Sequence, residues 1–518
     1  MFTAKIPIAK NRLYCYHLLV MIFLFSCSKA PVLINVKGHK KVLENITTII
    51  QESGLQTNIG IKIVELVSNE IIYEWNTQAL FNPASNNKLY TCIAALAMLD
   101  TSQTFSTSVY QDTTAVYLVG GGDPHLTLNQ LDTMAQTISD TMKLHLGQDY
   151  WFLNNRIRMR TIDRAKKINY LVLDDSMLDD VPYGPGWMWD EGSWWYAAQI
   201  SALSVNENCV DFYVTPGIIE HPVLIKTNPA TRYISITNQS ITVDDTTDFK
   251  KLKITRDWKK LTNSFTITGN VLDTASTDTF QRNVHDPTLY SGTVFAEMLQ
   301  SRGINIKHII KGTLPAGAMK VAEHRSKPVQ HALTEFMKRS ENLTAELLVK
   351  HIGAVVYDTV GTWNNGLLAI KTFLHDTVGI DTNTFSLSDG SGVSRYNYSS
   401  PDHFIKLLTW AYNNKPVRDK FLNTFPIGGW DGTLEDRMQN EESVAKIIAK
   451  TGTLSGVSCL SGYIFTTRGD PLAVSILMNG YVDEAKLFRS LQDKIVHTLT
   501  EIKLSSNRQA QSQKQTLV

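Results

Sequence analysis

The sequence predicts an α+β protein: a mixed sheet built from both chain ends, helices around it, and a large mainly-β insert between. Three observations predict this. Period-two alternation appears near the start, at Ile59-Gly60-Ile61-Lys62-Ile63, and a strand-like run stands near the end, at Ser461-Gly462-Tyr463-Ile464-Phe465. Apolar residues recur at helical spacing on both flanks of the middle. The stretch from about 101 to 283 has another texture, rich in Thr, Asp and short alternating runs. At 518 residues the chain spans about three to four domain lengths of roughly 150 residues. It is 43% hydrophobic and 19% charged, enough to bury a large core and too apolar for a disordered chain. Lys and Arg total 50 against 49 acidic residues, which excludes a strongly basic nucleic-acid binder.

The first segment is read as a targeting signal rather than fold. Lys5, Lys10 and Arg12 precede the apolar run from Leu18 to Phe25. That run is shorter than the about 20 residues a membrane span needs, and suits a signal-peptide core. Leu24-Phe25-Ser26-Cys27 resembles a bacterial lipobox, although Phe25 departs from the stricter form. The expectation is an exported, periplasmic protein held to a membrane by a lipid on Cys27; the alternative is an ordinary secretory signal cut nearby. The other cysteines after it, Cys92, Cys209 and Cys459, lack paired spacing and are expected as buried single thiols.

After the signal, Val42 to Ile50 reads as a helix, and Ile59–Ile63 with Ile71–Trp75 as a hairpin around Ser68-Asn69-Glu70. Phe81-Asn82-Pro83-Ala84 breaks the chain. Leu89, Cys92, Ile93, Leu96 and Leu99 then place Ser85 at a helix start. Val116–Val119 and Tyr170–Leu173 are the clearest strands of the insert. Helical texture returns near Val294–Leu299, from Leu333 to Val356 and around Phe404 to Tyr412. Two strands around Arg468-Gly469-Asp470 and an amphipathic helix from Glu484 to Leu504 close the fold. The polar tail beyond Ser505 reads as disordered.

Three short motifs carry chemistry. Ser85-Asn86-Asn87-Lys88 puts a hydroxyl and an amine on one helix face, so the amine can activate an otherwise poor nucleophile. Ser26 to Lys29 and Ser443 to Lys446 match the same spacing, but only Ser85 follows a Pro turn and opens an apolar helix. Ser340-Glu341-Asn342 precedes a helical run; its bland reading is a helix N-cap. Ser204-Val205-Asn206 in the insert and Ser505-Ser506-Asn507 in the tail match it less favourably. Lys450-Thr451-Gly452-Thr453 opens the C-terminal strand region and contains the single K-T-G of the chain. It offers a cation and a hydroxyl to a carboxylate, with Gly452 allowing a ligand near the backbone.

In this order the set resembles the signature of penicillin-binding proteins and class A β-lactamases. Ser85 and Ser340 are 255 residues apart, and Ser340 and Lys450 are 110 apart. The long first gap is similar to that of the D-Ala-D-Ala carboxypeptidase/endopeptidase family, the class C low-molecular-mass penicillin-binding proteins. Gly121-Gly122-Asp123-Pro124, Gly184-Pro185-Gly186-Trp187-Met188-Trp189, Ala202 to Asn208, Asp389 to Arg395 and Asp431-Gly432-Thr433-Leu434 extend the likeness over most of residues 40 to 500.

The resemblance implies a transpeptidase-like α/β fold divided at 1–26 (signal), 32–103 and 284–504 (catalytic), 104–283 (insert) and 505–518 (tail). It implies that Ser85 is acylated by a D-Ala-D-Ala carbonyl and that Lys88 takes its proton. Ser340, tuned by Lys450, would serve the leaving amine; Asn342 would bind the substrate amide, and Lys450 and Thr451 its terminal carboxylate. The N–H groups of Ser85 and Thr453 would form the oxyanion hole. Peptidoglycan stem peptides are the implied partners and β-lactams the implied covalent inhibitors. Glu341 is expected to add negative charge beside the cleft. No cofactor is expected, and the thirteen His contain no H-E-x-x-H, which disfavours a zinc peptidase.

Three further features have two readings each. Four of the ten Trp lie between Trp187 and Tyr196, read first as packing and second as a glycan or peptide site. The basic stretch Lys250–Lys260 is read first as a solvated strand face and second as an attraction to an anionic wall polymer. Asp174 and Asp175 either form a turn or reach the cleft to read a cationic side chain.

Overall fold

The computed structural model describes residues 40–145, 150–153, 156–159, 166–439 and 446–502. The expected signal, Cys27, Ser443 and the tail lie outside these residues.

The chain opens with helix α1 (Lys40–Glu52), the hairpin β1 (Asn58–Glu65) and β2 (Ile71–Trp75), and helix α2 (Lys88–Met98), entered through a 3-10 turn at Ala84–Asn87. The insert begins with β3 (Thr104–Gln111), β4 (Ala115–Val119), α3 (Leu128–His145), the ribbon β5 (Tyr150–Leu153) and β6 (Arg156–Met159), and β7 (Lys166–Asp174). It continues through β8 (Cys209–Thr215), β9 (Leu224–Asn228), β10 (Ser235–Val243), β11 (Lys253–Arg256), β12 (Ser264–Leu272) and β13 (Asp278–Asn283). Next come α4 (Pro287–Gln300), β14 (Ile304–Lys311) and β15 (Met319–Pro328). The helices α5 (Val329–Arg339), α6 (Asn342–Tyr357), α7 (Trp363–Phe373), α8 (Pro401–Asn413) and α9 (Lys415–Leu422) follow. The chain then returns through β16 (Ile447–Leu454), β17 (Val457–Phe465), β18 (Pro471–Asn479) and α10 (Ala485–Thr500).

The two chain ends meet in one sheet of order β16-β17-β18-β1-β2. Each pairing is antiparallel rather than mixed. Both faces are covered, so β17 and β18 are buried over almost their whole length and read as apolar runs instead of alternating. On one face α1 and α10 supply Ile46, Phe488, Leu491, Ile495 and Leu499, a stripe at helical spacing. On the other, Leu89, Ile93, Leu348, Phe404 and Leu408 of α2, α6 and α8 pack against Cys459, Tyr463 and Leu477.

The insert carries a second five-stranded sheet of order β14-β7-β4-β3-β15, and two three-stranded sheets, β10-β12-β11 and β13-β8-β9. Two expectations are corrected here. The mainly-β region also holds α3, an 18-residue helix with polar Gln, Asp and Thr on its outer face. The boundary expected at 284 falls inside the insert's own architecture, because β14 pairs with β7 and β15 with β3. Tyr290, Val294, Phe295 and Leu299 of α4 enter the same core as Leu118, Leu171 and Phe212. The helical spacing near Val294 therefore belongs to the insert, and the catalytic helices resume at α5.

Among the expected single thiols, Cys92, Cys209 and Cys459 are free and buried. Among the described residues no helix is long and apolar enough to cross a membrane.

Candidate active site

The 3-10 turn that opens α2 is held from several directions. Ala84 is left-handed, at φ +45°. Its N–H donates to Asn82 Oδ1 (3.0 Å), and Asn87 Nδ2 donates to Asp389 O (2.7 Å). Gly392 closes over the turn at φ +91°, where a Cβ would stand 1.9 Å from Ala84 O. These contacts present Ser85 at the mouth of a cleft of about 460 Å³, which Ser340, Asn342, Thr451 and Thr453 also line.

Lys88 lies beneath Ser85 and is wholly buried. Its Nζ is 3.1 Å from Ser85 Oγ, 2.6 Å from Asn342 Oδ1 and 2.8 Å from Ser391 O. Burial lowers its pKa to about 8, against the opposing pull of Glu341, Glu346 and Asp389. Asn342 is fixed in turn, because its Nδ2 donates to Tyr196 O (2.8 Å) from the insert.

Ser340 ends α5 in the left-handed region, at φ +59°. Its Oγ accepts from Lys450 Nζ at 2.8 Å, and the same Nζ donates to Thr451 O at 3.0 Å. Lys450 is also wholly buried; burial, then the neighbouring Lys88, holds its pKa well below the ordinary value. Each hydroxyl thus has its own lysine. Thr451 Oγ1 donates to Thr433 Oγ1 (2.8 Å) of the Asp431–Leu434 turn.

Several readings of single residues change. Glu341 does not charge the cleft: it is buried and caps α6, accepting from Leu343 N and, at 2.8 Å, from Thr344 N. The N-cap reading of Ser340 therefore passes to its neighbour. Gly452 serves protein packing, since a Cβ there would meet Pro83 O at 2.7 Å and Ser85 N at 3.0 Å. It lets β16 lie against the turn that carries Ser85. Asp174 and Asp175 are structural: Asp174 accepts from Ser176 N (3.0 Å) and Leu314 N (2.6 Å), and Asp175 from Thr288 Oγ1 (2.5 Å). Arg256, counted in the solvated basic face, is buried and donates to Asn283 Oδ1 through Nε (3.2 Å) and Nη2 (3.1 Å). Ser204 is buried in the insert and donates to Ser201 O (2.8 Å).

Two buried carboxylates support the site: Asp389, within the stretch that the resemblance already covers, and Glu346, which escaped the sequence reading. Asp389 accepts from Gly392 N (2.8 Å), Ser394 N (2.7 Å), Asn397 Nδ2 (2.7 Å) and Trp187 Nε1 (3.0 Å). Glu346 accepts from Gly390 N (2.9 Å), Ser391 N (2.7 Å) and Trp363 Nε1 (2.7 Å). Together they shape the loop whose Ser391 carbonyl holds Lys88. Glu346 gave no signal because an acidic residue inside an α6 pattern reads as a solvated position.

Residues 42–502 match the D-Ala-D-Ala carboxypeptidase 3 (S13) family. The chain belongs to that family. Its members are serine-type D-Ala-D-Ala carboxypeptidases, and this chain is one. A D-alanyl-D-alanine carboxypeptidase of an Actinomadura species is 32% identical over 503 residues, 91% of this chain and 87% of that protein. The crystal structure of penicillin binding protein 4 from Haemophilus influenzae superposes with a TM-score of 0.74 at 23% identity, covering 88% of this chain and 100% of that one. The same protein complexed with a β-lactam superposes at 0.68, with 22% identity and the same coverage. The penicillin-binding-protein fold expected from the motifs is therefore the fold of this S13 chain. Among its described residues no group of three His, Cys, Asp or Glu is placed to hold a metal.

Proposed function

We propose that this S13 enzyme hydrolyses peptidoglycan stem peptides through an acyl-enzyme on Ser85, with Lys88 as the base. One observation carries the assignment. Asn342 Oδ1 and Ser391 O are pure acceptors, so they take the two N–H groups of a neutral Lys88 amine. The lone pair then faces Ser85 Oγ. In the proposed reaction Oγ bonds to the carbonyl carbon of the D-Ala-D-Ala amide and its proton passes to Lys88. The N–H groups of Ser85 and Thr453 stabilise the oxyanion. As the C–N bond breaks, the leaving amine takes the Ser340 proton, which Lys450 replaces. Water then attacks the ester carbonyl and loses a proton through Ser340 to Lys450, and Ser85 Oγ leaves with the proton held on Lys88, which releases the peptide acid and restores both lysines.

Asn342 acts here by holding the base, and Thr451, facing Thr433, is the partner proposed for the substrate carboxylate. Free D-Ala termini and D-Ala cross-links are both proposed substrates, so the enzyme is a carboxypeptidase and an endopeptidase. We further propose export to the periplasm with a lipid anchor on Cys27.

The deciding experiment is incubation with a labelled penicillin and mass spectrometry of the adduct. A stable adduct on Ser85, absent in Ser85→Ala, is expected. No adduct makes the chain a wall-binding scaffold; rapid release of hydrolysed drug makes it a β-lactamase. Fractionation of Cys27→Ala tests the anchor: the variant is expected in the soluble fraction, and unchanged membrane retention overturns it.

A further inference from the structure

Beside the catalytic cleft lies a second groove of about 570 Å³, lined by Tyr183, Met188, Trp189, Trp258, Lys259 and Leu261. It is strongly aromatic and open. Trp189 is 72% exposed, and Met188 and Leu261 are exposed with it. The Trp189 and Trp258 rings stand 5.1 Å apart at 55°, a tilted pair. Lys259 Nζ lies 5.6 Å from the Trp258 ring centre. Packing accounts for Trp187, whose indole N–H is bonded to Asp389 (3.0 Å), but not for Trp189. Exposed apolar patches of this kind, with polar groups at the rim, mark ligand sites.

The groove and the cleft share one wall residue. Glu191 lines both, and its carboxylate accepts from Tyr196 OH (2.7 Å), on the residue whose carbonyl fixes Asn342. We infer that this groove binds an N-acetylated amino-sugar ring of the glycan strand that carries the stem peptide. The inference rests on the peptidase reading of the neighbouring cleft. A pyranose ring has an apolar C–H face that fits an indole face, and a rim of hydroxyl and acetamide groups. Lys259 and Glu191 supply a donor and an acceptor at that rim. A neutral sugar needs no ion partner, and the groove offers one charge of each sign.

The test uses the full chain and the variants Trp189→Ala, Trp258→Ala and the double variant. Hydrolysis of a disaccharide-linked pentapeptide is compared with that of the free pentapeptide. Each substitution is expected to lower kcat/KM on the sugar-linked substrate by about three- to tenfold, the worth of one aromatic contact. Free-pentapeptide hydrolysis and penicillin acylation of Ser85 should not change, which also shows that the variants fold. A tetramer of N-acetylglucosamine should quench the tryptophan fluorescence of the wild type and not of the double variant. Equal losses on both substrates, no preference for the sugar-linked one, or no quenching overturns the inference. So does a dimer in sedimentation that the double variant abolishes, since a second copy would then occupy the groove. Failure of penicillin to label the wild type would overturn the peptidase reading instead, and the quenching experiment would still decide the sugar site.

Discussion

A buried lysine with a pKa near 8 makes acylation depend on pH in a defined direction. In the proposed mechanism the neutral form of Lys88 is the base, and its fraction rises from about a tenth at pH 7 to about half at pH 8. The second-order rate of acylation by a chromogenic cephalosporin should therefore climb about fivefold between those values and level off above pH 9. Stopped-flow traces across pH 6–9.5 check this; a flat profile would remove Lys88 from the role. Glu341 supplies an independent handle. Its negative charge favours the charged form of Lys88, so Glu341→Gln should move the midpoint to lower pH. The same substitution weakens the α6 cap, at a cost of about 1 kcal/mol in denaturant melts. Substrate charge preference should stay unchanged, because the carboxylate is buried under the helix rather than aimed at the cleft.

Among the elements, β16 and the 389–397 loop hold the two lysines in place, and each depends on one position that cannot be altered cheaply: Gly452 within β16, and Glu346 of α6, which holds the loop. A Cβ at Gly452 would stand 2.7 Å from Pro83 O, both parts of rigid backbone, so Gly452→Ala must push β16 from the turn that carries Ser85. Penicillin acylation should fall at least about tenfold, as misplacement of a catalytic group does, while the melting temperature shifts modestly. An unchanged rate would show that the turn tolerates the displacement. Glu346→Ala leaves three N–H donors without their acceptor in the core, a loss on the order of 3 kcal/mol or more in stability. These two positions also show what the sequence made legible. K-T-G and S-x-x-K were readable because the chemistry fixes residue types at short spacing. The Pro turn and the apolar α2 pattern distinguished Ser85 from other matches. Glu346 acts through buried backbone contacts to a loop some 45 residues away, and nothing local records such a partner; Asp389 bonds within its own loop, to Gly392 N and Ser394 N. The end of the insert was misplaced for a related reason. The edge strands β14 and β15 pair with β7 and β3 across more than a hundred residues, while α4 offers the helical signal expected of the catalytic part.

At the scale of the whole molecule, the insert and the catalytic helices meet along a seam that contains a cavity of about 340 Å³, lined by Phe105, Asp123, His324, His331 and Arg339 among others. Arg339 joins this seam to the active site. It donates to Glu207 of the insert (2.8 Å), lines the catalytic cleft and immediately precedes Ser340. Asp123 is the least satisfied group there. Its Oδ1 accepts from His125 N (3.0 Å), but its Oδ2 has no hydrogen-bond partner among the described residues, and His324 Nε2 stays 3.6 Å away. Burial pushes the carboxyl up from its ordinary 3.8 to about 6, and pushes the His324 imidazole down, so near neutral pH the carboxylate faces an uncharged ring. A folded-state pKa above the unfolded one means that the folded chain keeps this proton longer. The stability it contributes is full below about pH 4 and is lost as pH rises through 6. Asp123→Asn keeps an oxygen for His125 N and removes the titration. It should raise stability at pH 7.5 by about 2–3 kcal/mol and leave stability at pH 4 nearly unchanged. Denaturant melts of wild type and variant at the two pH values measure both quantities. A variant that is equally destabilised at both would show that the Asp123 carboxylate is paired across the seam, and that the insert is held to the catalytic helices by charge rather than by packing.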